Sequence, residues 1–300
     1  ATFTYYLAEE VMSSKDARRK VEKEKEAKNE NNVAADWNTV IAESREDAPA
    51  IVFLVENVDG TIIDQVVAPA TAGFNRVAWD LRYPSVEPWE PVPEGEEAHE
   101  GAGILVIPGS YAVSMYKRVN GEMIDLGQKQ TFNVVSIRPD PAIEGSSQQQ
   151  RVIFEAQVDE LLRAAAGSSE AVDAVIGELD AVKATLHRSM TDGSLYELAH
   201  SIQQSLKASN EKLTDNELRD AYNDLAIMSV QARLWHARFD PSSSAHGPTA
   251  AQKESLRIAR KLYDETVAEL TQLVDGDYAA LKEAMDIAKV PWTPGRGIQE

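Results

Sequence analysis

Ala50-Ile51-Val52-Phe53-Leu54-Val55-Glu56, then Asn57-Val58-Asp59-Gly60, then Thr61-Ile62-Ile63-Asp64-Gln65-Val66-Val67 is the stretch that decides the fold. Two runs rich in β-branched residues flank an Asp-Gly pair, and that pair readily takes the positive φ of a tight hairpin turn. The first expectation is therefore a β-hairpin, with further strands on either side of it. Upstream, Thr2-Phe3-Thr4-Tyr5-Tyr6-Leu7 is a strand by propensity. Downstream, residues 73–81 alternate, so that Val77, Trp79 and Leu81 fall on one face of a half-buried strand.

The segment between the first strand and the hairpin has another character. Residues 13–32 are almost wholly polar, with acids and bases interleaved. On a helix, Asp16 with Lys20 and Glu24 with Lys28 are supportive i,i+4 pairs, whereas Arg19 with Lys23 and Glu22 with Glu26 oppose them. The pattern predicts a solvated helix with little to bury, inside a charged helical insertion spanning about 13–46.

Residues 84–103 carry Pro84, Pro88, Pro91 and Pro93 together with six glutamates. Proline lacks the ladder donor and the carboxylates repel one another, so this is a long loop. Strand character returns at 104–107 and 110–119, and Asn120-Gly121 is a strong hairpin signal. Runs at 123–126 and 130–137 complete the β region. Short strands separated by Gly and Pro turns suggest an immunoglobulin-like sandwich.

Beyond Pro139, Pro141 and the Gly145-Ser146-Ser147 run, the apolar period becomes 3.6. Phe154, Val158, Leu161 and Ala165 mark one helix; Val172, Val175, Ile176, Leu179, Val182 and Leu186 mark the next. Ser194 to Glu197 and Thr214 to Glu217 read as capping boxes. The second is expected to open an unbroken helix through Leu218, Ala221, Leu225, Met228, Ala232, Trp235 and Phe239. Thr249 with Gln252 caps a further long helix, and Asp277 starts a short one carrying Leu281 and Met285.

The expected class is thus α+β and multidomain. An immunoglobulin-like antiparallel β-sandwich occupies 1–137, a linker 138–147, an antiparallel α-helical bundle 148–290 and a tail 291–300. The 300 residues suit two cores of ordinary size.

Composition narrows the function classes. Forty-nine acidic against thirty basic side chains give a net charge of −19, which disfavours nucleic acid and anionic lipid as partners. No apolar run approaches the roughly 18 residues of a membrane span. With no cysteine, thiol nucleophiles, thiolate metal sites and disulfides are excluded.

No phosphate loop, dinucleotide fingerprint, nucleophile elbow or zincin pair is present. None of His99, His187, His200, His236 and His246 stands three or four residues from another, so they read as surface or helical packing residues. The expected sites are therefore catalytic none, cofactor none and metal none. Two weaker chemistries remain in the loop. Glu94, Glu96, Glu97 and Glu100 are oxygen donors of the kind calcium takes, although no EF-hand spacing holds them. Trp89, with Tyr83 nearby in sequence, is the candidate contact for a sugar or protein ligand, whereas Trp79 alternates into the core.

Specific motifs carry a family resemblance. They are Gly73-Phe74-Asn75-Arg76-Val77-Ala78-Trp79-Asp80-Leu81-Arg82-Tyr83-Pro84, Pro108-Gly109-Ser110-Tyr111-Ala112-Val113, the leading Phe3-Thr4-Tyr5-Tyr6-Leu7, and Gln130-Thr131-Phe132-Asn133-Val134-Val135. Together they resemble the C-terminal region of bacterial sortilin-like propeller proteins, often labelled glycosyl hydrolases with BNR or Asp-box repeats. The Trp-Asp and Pro-Gly-x-Tyr elements are also similar to the immunoglobulin-like domain of flagellar hook-capping proteins. The sharpest motifs lie within 73–113; the helical part matches in kind more than in sequence.

The resemblance implies an exported protein, periplasmic or extracellular, whose N-terminal β-propeller would carry any ligand or catalytic site. This chain holds no Asp-box, so no catalytic position transfers to it. It implies structural roles for Trp79, Tyr111 and Gly109, and a polar network of Arg76, Asp80 and Arg82. The start at Ala1, inside a strand-like run without an initiator Met or signal peptide, is the expectation of a fragment or a processed form. The expected role is a noncatalytic accessory or assembly module partnered by that propeller. The alternatives are a carbohydrate-binding module acting through loop 84–103 and a part of a glycoside hydrolase.

Overall fold

The computed structural model describes residues 1–89, 92, 103–137, 148–222, 228–238 and 248–298. The chain is mixed helix and strand and divides into two compact units, Ala1–Pro84 with Ala102–Pro139, and Ser85–Gly101 with Asp140–Glu300.

The first unit holds β1 (Thr2–Leu7), α1 (Ser14–Ala27), α2 (Trp37–Glu43), β2 (Ala50–Glu56), β3 (Ile62–Ala68), β4 (Gly73–Ala78), β5 (Gly109–Val119) and β6 (Glu122–Val134). Its strands form two antiparallel sheets, β1–β4 and β3–β2–β5–β6. The hairpin expected from residues 50–67 is β2–β3, paired from Ile51 opposite Ala68 to Glu56 opposite Ile62, with Gly60 at φ 77° in its turn. Period-two patterning sends alternate side chains inward from both sheets. Phe3 and Tyr5 of β1 meet Phe53 of β2 at ring-centroid distances of 5.4 and 5.2 Å. Trp79, 2% exposed, packs edge-on against Tyr111 at 5.9 Å and Phe132 at 6.0 Å. One apolar core therefore serves both sheets.

Two strand expectations are corrected. Residues 104–107 contribute a single bridge, Leu105 with Arg82, because Pro108 ends the run before a ladder can extend. The runs at 123–126 and 130–137 are one strand, β6, which stops at Val134. The register against β5 slips where Met115 faces Gln128 and Tyr116 faces Asp125. Gly127, at φ 67°, absorbs that slip as a bulge, so a glycine that resembles a turn signal sits inside a strand.

The charged insertion forms two short helices. Ser13 caps α1 by accepting from the Asp16 amide, and α1 has no buried residue, as its polar sequence requires. Its ion pairing runs through Arg18, which reaches Glu22 one turn on and Glu43 of α2.

The second unit holds α3 (Gln148–Leu186), α4 (Ser194–Asn210), α5 (Glu217–Ala221), α6 (Val230–Ala237), α7 (Ala250–Thr271) and α8 (Ala279–Ile287), with a π-helical stretch (Gln272–Tyr278) joining the last two. They share a second apolar core that includes Val158, Leu179, Leu206, Leu234, Ala259 and Leu281. The two helices expected on either side of Gly167 are one 39-residue helix, α3. Glycine costs only about 1 kcal/mol in a helix interior. Ser169, 5% exposed, occupies the inward position between Ala165 and Val172, so the stripe continues through a polar residue.

The expected helix from Leu218 to Phe239 is also corrected. Leu225 and Phe239 lie outside the described residues, as do 138–147, but Ser229 begins a new helix at φ −63° and ψ 172°. Its hydroxyl accepts from the Ala232 amide at 3.0 Å. The inward stripe of α6 is then Val230, Leu234 and Ala237, and Trp235 is 57% exposed. The first-turn amides of α6 find acceptors in the turn that follows α4, Val230 N on Lys212 O and Gln231 N on Leu213 O, each at 3.0 Å.

Of the capping boxes, Thr249 with Gln252 forms in both directions. At α4 the cap position is Gly193, with Ser194 bonded instead to Asp192. Asn216, rather than Thr214, accepts from the first amides of α5. Leu281 and Met285 are fully buried in α8, but the helix follows the π-helical stretch without a fresh start at Asp277.

Candidate functional site

Tyr83 and Trp89, the two expected ligand contacts, fall in different compact units. Tyr83 is half-buried against the core of the two sheets, and its amide donates to Ile104 O at 2.9 Å. Gly103 is required there, since a Cβ would stand 1.9 Å from Tyr83 O. Burial pushes the Tyr83 phenol pKa up, so the ring serves as packing with a protonated tip. Trp89 is 84% exposed, as a contact residue would be. Glu94, Glu96, Glu97 and Glu100 lie outside the described residues, as do His99 and His246. Among the described residues no group of three or more His, Asp or Glu converges as metal ligands. His187 lies against the Tyr196 ring at 4.8 Å, a packing contact.

Of the residues expected to be structural, Trp79, Asp80, Arg82 and Tyr111 make bonds that hold this region, and Arg76 does not join them. The Trp79 indole donates to Arg82 O at 3.2 Å, and Arg82 donates to Gly103 O at 2.7 Å. The Asp80 carboxylate accepts from the Arg82 amide at 3.0 Å, while Arg76 sits exposed on β4. Tyr111 donates its hydroxyl to Ile107 O, four residues upstream. Its phenol pKa is pushed up by burial, then by the neighbouring Tyr83.

The most elaborate polar cluster is one that sequence reading passed over as a tail. Tyr278, 1% exposed at the end of the π-helical stretch, donates to Glu178 of α3 at 2.8 Å. Burial and the Glu178 carboxylate both hold its phenol well above the ordinary value, so it remains a donor at any ordinary pH. Lys282 lies 4.5 Å over the same ring. Arg296, 7% exposed, donates to Val290 O at 3.0 Å and Pro291 O at 2.9 Å and pairs with Asp286. Thr293 is 1% exposed. The cluster ties residues 290–297 to α8, with Gly295 against Glu178. A phenol locked in its protonated form has no use as a base. The terminal nitrogens of the guanidinium are engaged by its own segment and by Asp286 of α8, while its buried Nε has no hydrogen-bond partner among the described residues. The available signal was Pro291-Trp292-Thr293-Pro294-Gly295-Arg296, a run built for a specific turn rather than a loose end.

Of the other buried polar groups in the helices, Gln203 is likewise engaged, whereas Asp159 Oδ1 and Asn210 Oδ1 are buried without a hydrogen-bond partner among the described residues. Gln203, 1% exposed, donates to Ile176 O and Asp180 and accepts from Lys183 at 2.6 Å. Asp159 stands 3.8 Å from Arg238; burial raises its carboxyl pKa more than the guanidinium lowers it.

An open groove of about 690 Å³ in the first unit is lined by Arg19, Lys20 and Lys23 of α1 together with Glu10 and Asp16. Its charges are of both signs, so it selects for neither anions nor cations. No family model, curated protein or solved structure matches the chain. Function therefore rests on the chemistry of the residues themselves. Among the described helices, none is long and apolar enough to cross a membrane.

Proposed function

We propose that the chain is a noncatalytic accessory module of a larger exported protein, an immunoglobulin-like β-sandwich followed by an antiparallel helical bundle, which supports or docks an N-terminal β-propeller. The observation that carries this reading is the use made of the buried polar groups. Tyr111, Tyr278 and Gln203 spend their hydrogen bonds on fastening the fold, as do the two terminal nitrogens of Arg296. The immunoglobulin-like assignment is supported by a buried Trp79 between two antiparallel sheets and by Tyr111 bonding back to the chain a few residues upstream, as the tyrosine corner does in such domains. The purified chain is expected to show no turnover on a broad panel of glycosides and peptides. Reproducible hydrolysis abolished by one carboxylate substitution would overturn the noncatalytic reading. The reading frame upstream of Ala1 is expected to encode a propeller, and a frame without one removes the docking partner.

The exposure of Trp89 favours a second reading, carbohydrate binding through loop 84–103. Titration with glycans followed by tryptophan fluorescence tests it. A response lost in Trp89→Ala supports sugar stacking, and a response indifferent to that change rejects it.

A further inference from the structure

The open groove of the first unit is lined by two kinds of segment. Val11, Pro49, Ala70 and Thr71 line it from chain tied to the sheets, where Val11 packs against the apolar core and its amide donates to Ala70 O at 2.9 Å. Asp16, Arg19, Lys20 and Lys23 line it from α1. Nothing apolar fastens that helix. It has no buried residue, and α2, the helix it packs against, buries a single side chain, Glu43. Hydrophobic burial, which holds most helices in place, therefore contributes little between the two.

Charge joins them instead. Arg18 of α1 donates to both carboxylate oxygens of Glu43 through Nε and Nη2, each at 2.6 Å, and through Nη1 to Glu22 at 2.6 Å. Glu43 is 7% exposed, so this charge-assisted fork is closed to water on its acidic side. The Ser14 amide adds a polar tie to Glu46, beyond α2, at 2.8 Å. A seven-residue helix is too short to persist by propensity, and an element without buried area belongs to the part of a fold that opens at low free energy. The fork thus decides whether α1 and α2 stand still.

We propose that α1 is a hinged wall of the groove, locked to α2 by the Arg18–Glu43 fork, and that releasing the fork lets the wall move while both sheets stay folded. The hinge is the chain at Met12 and Ser13, between the anchored Val11 and the first turn of α1. This motion lies inside the first unit and does not depend on the propeller reading.

Hydrogen exchange of the whole chain, followed by mass spectrometry on fragments covering 15–27, 37–45 and 51–55, tests the lock. Glu43→Gln keeps the side-chain shape but loses the charge and one acceptor. Protection in 15–27 and 37–45 should fall roughly tenfold, the effect of losing a charge-assisted bond. Arg18→Gln should act alike, and the double variant should lose no more than either single one. Glu24→Gln removes the same charge from an exposed position on α1 and should change nothing. The 51–55 fragment, in β2, should keep its protection in every variant. Because the chain has no cysteine, nitroxides can be placed at Lys23→Cys and Thr71→Cys alone. Their distance distribution should be narrow in the parent and broad in Glu43→Gln. Parent helices that already exchange at the open-chain rate overturn the lock, as do single effects that add in the double variant or an equal loss in Glu24→Gln. Faster exchange of 51–55 alongside the helices overturns the hinge, and so does a nitroxide distribution that Glu43→Gln leaves unchanged.

Discussion

Replacing Gly295 with alanine is expected to destabilise the helical unit by about 3 kcal/mol. Gly295 sits at φ 79°, where an L side chain costs about 1–2 kcal/mol. A Cβ there would stand 2.0 Å from Glu178 Oε2 and 2.8 Å from Tyr278 Oη. The Glu178 carboxylate ends a flexible chain and would swing aside, so the collision itself is a small part of the effect. The swing breaks the 2.8 Å bond from Tyr278. A hydroxyl on a side chain only 1% exposed then loses its acceptor, for a further loss of about 1–3 kcal/mol. In a unit of this size each kcal/mol moves Tm by about 2–4 °C, so the helical transition should fall by about 6–12 °C. Differential scanning calorimetry measures the fall. Gly297→Ala is the control, because its Cβ would meet nothing within 4 Å, and it should lie within about 0.5 kcal/mol of the parent. Equal melting temperatures for the parent and Gly295→Ala would refute the account of 290–297 as a fastened segment, and so would equal losses in the two variants.

Ser229→Ala tests the break between α5 and α6 by its sign. At an N-cap the change should lower stability by about 1 kcal/mol, whereas inside an unbroken helix it would raise stability by up to about 0.5 kcal/mol; the urea midpoint distinguishes them. Asp159→Asn tests the buried carboxyl of α3. Its pKa is raised in the folded state, so the folded chain holds the proton where the unfolded chain has released it. Its contribution to stability therefore falls as pH rises from the ordinary aspartate range through the raised value. The asparagine variant should lose that slope and be at least as stable as the parent near neutral pH. Urea unfolding at about pH 4 and about pH 7 checks this, and a variant much weaker only at neutral pH would show that the ion pair with Arg238 outweighs burial.

Much of the fold was legible because the responsible signals are local. The Asp-Gly and Asn-Gly turns require positive φ wherever they stand, and both hairpins formed around them. Trp79 followed its alternation into the core, and α1 stayed solvated because its sequence has almost nothing to bury. The misreadings share a cause. Leu218 to Phe239 offers one 3-4 stripe, and Val230, Leu234 and Ala237 offer another. Pattern alone weighs the two equally, while the carbonyls of Lys212 and Leu213, in the turn after α4, select the second by receiving the first amides of α6. At Gly127 the residue type announced positive φ but not whether the chain would turn or bulge.

Of the expected contacts, Trp89 was found exposed and Tyr83 was drawn against the core by its bond to Ile104. Neither place follows from residue type, since an aromatic ring is equally at home in both. The cluster of Glu178, Tyr278, Gly295 and Arg296 joins positions more than 100 residues apart and leaves no periodic trace in the chain.

The sequence by itself determined the apolar periods, the hairpin turns, the charge balance and the lack of thiol chemistry, because each depends on neighbouring residues or on composition alone. Only the tertiary structure decided which of two stripes faces inward, that Glu43 rather than Trp37 is the buried residue of α2, and that residues 290–297 are bound down. Those outcomes depend on which desolvated donors and acceptors find partners, and the partners come from distant parts of the chain.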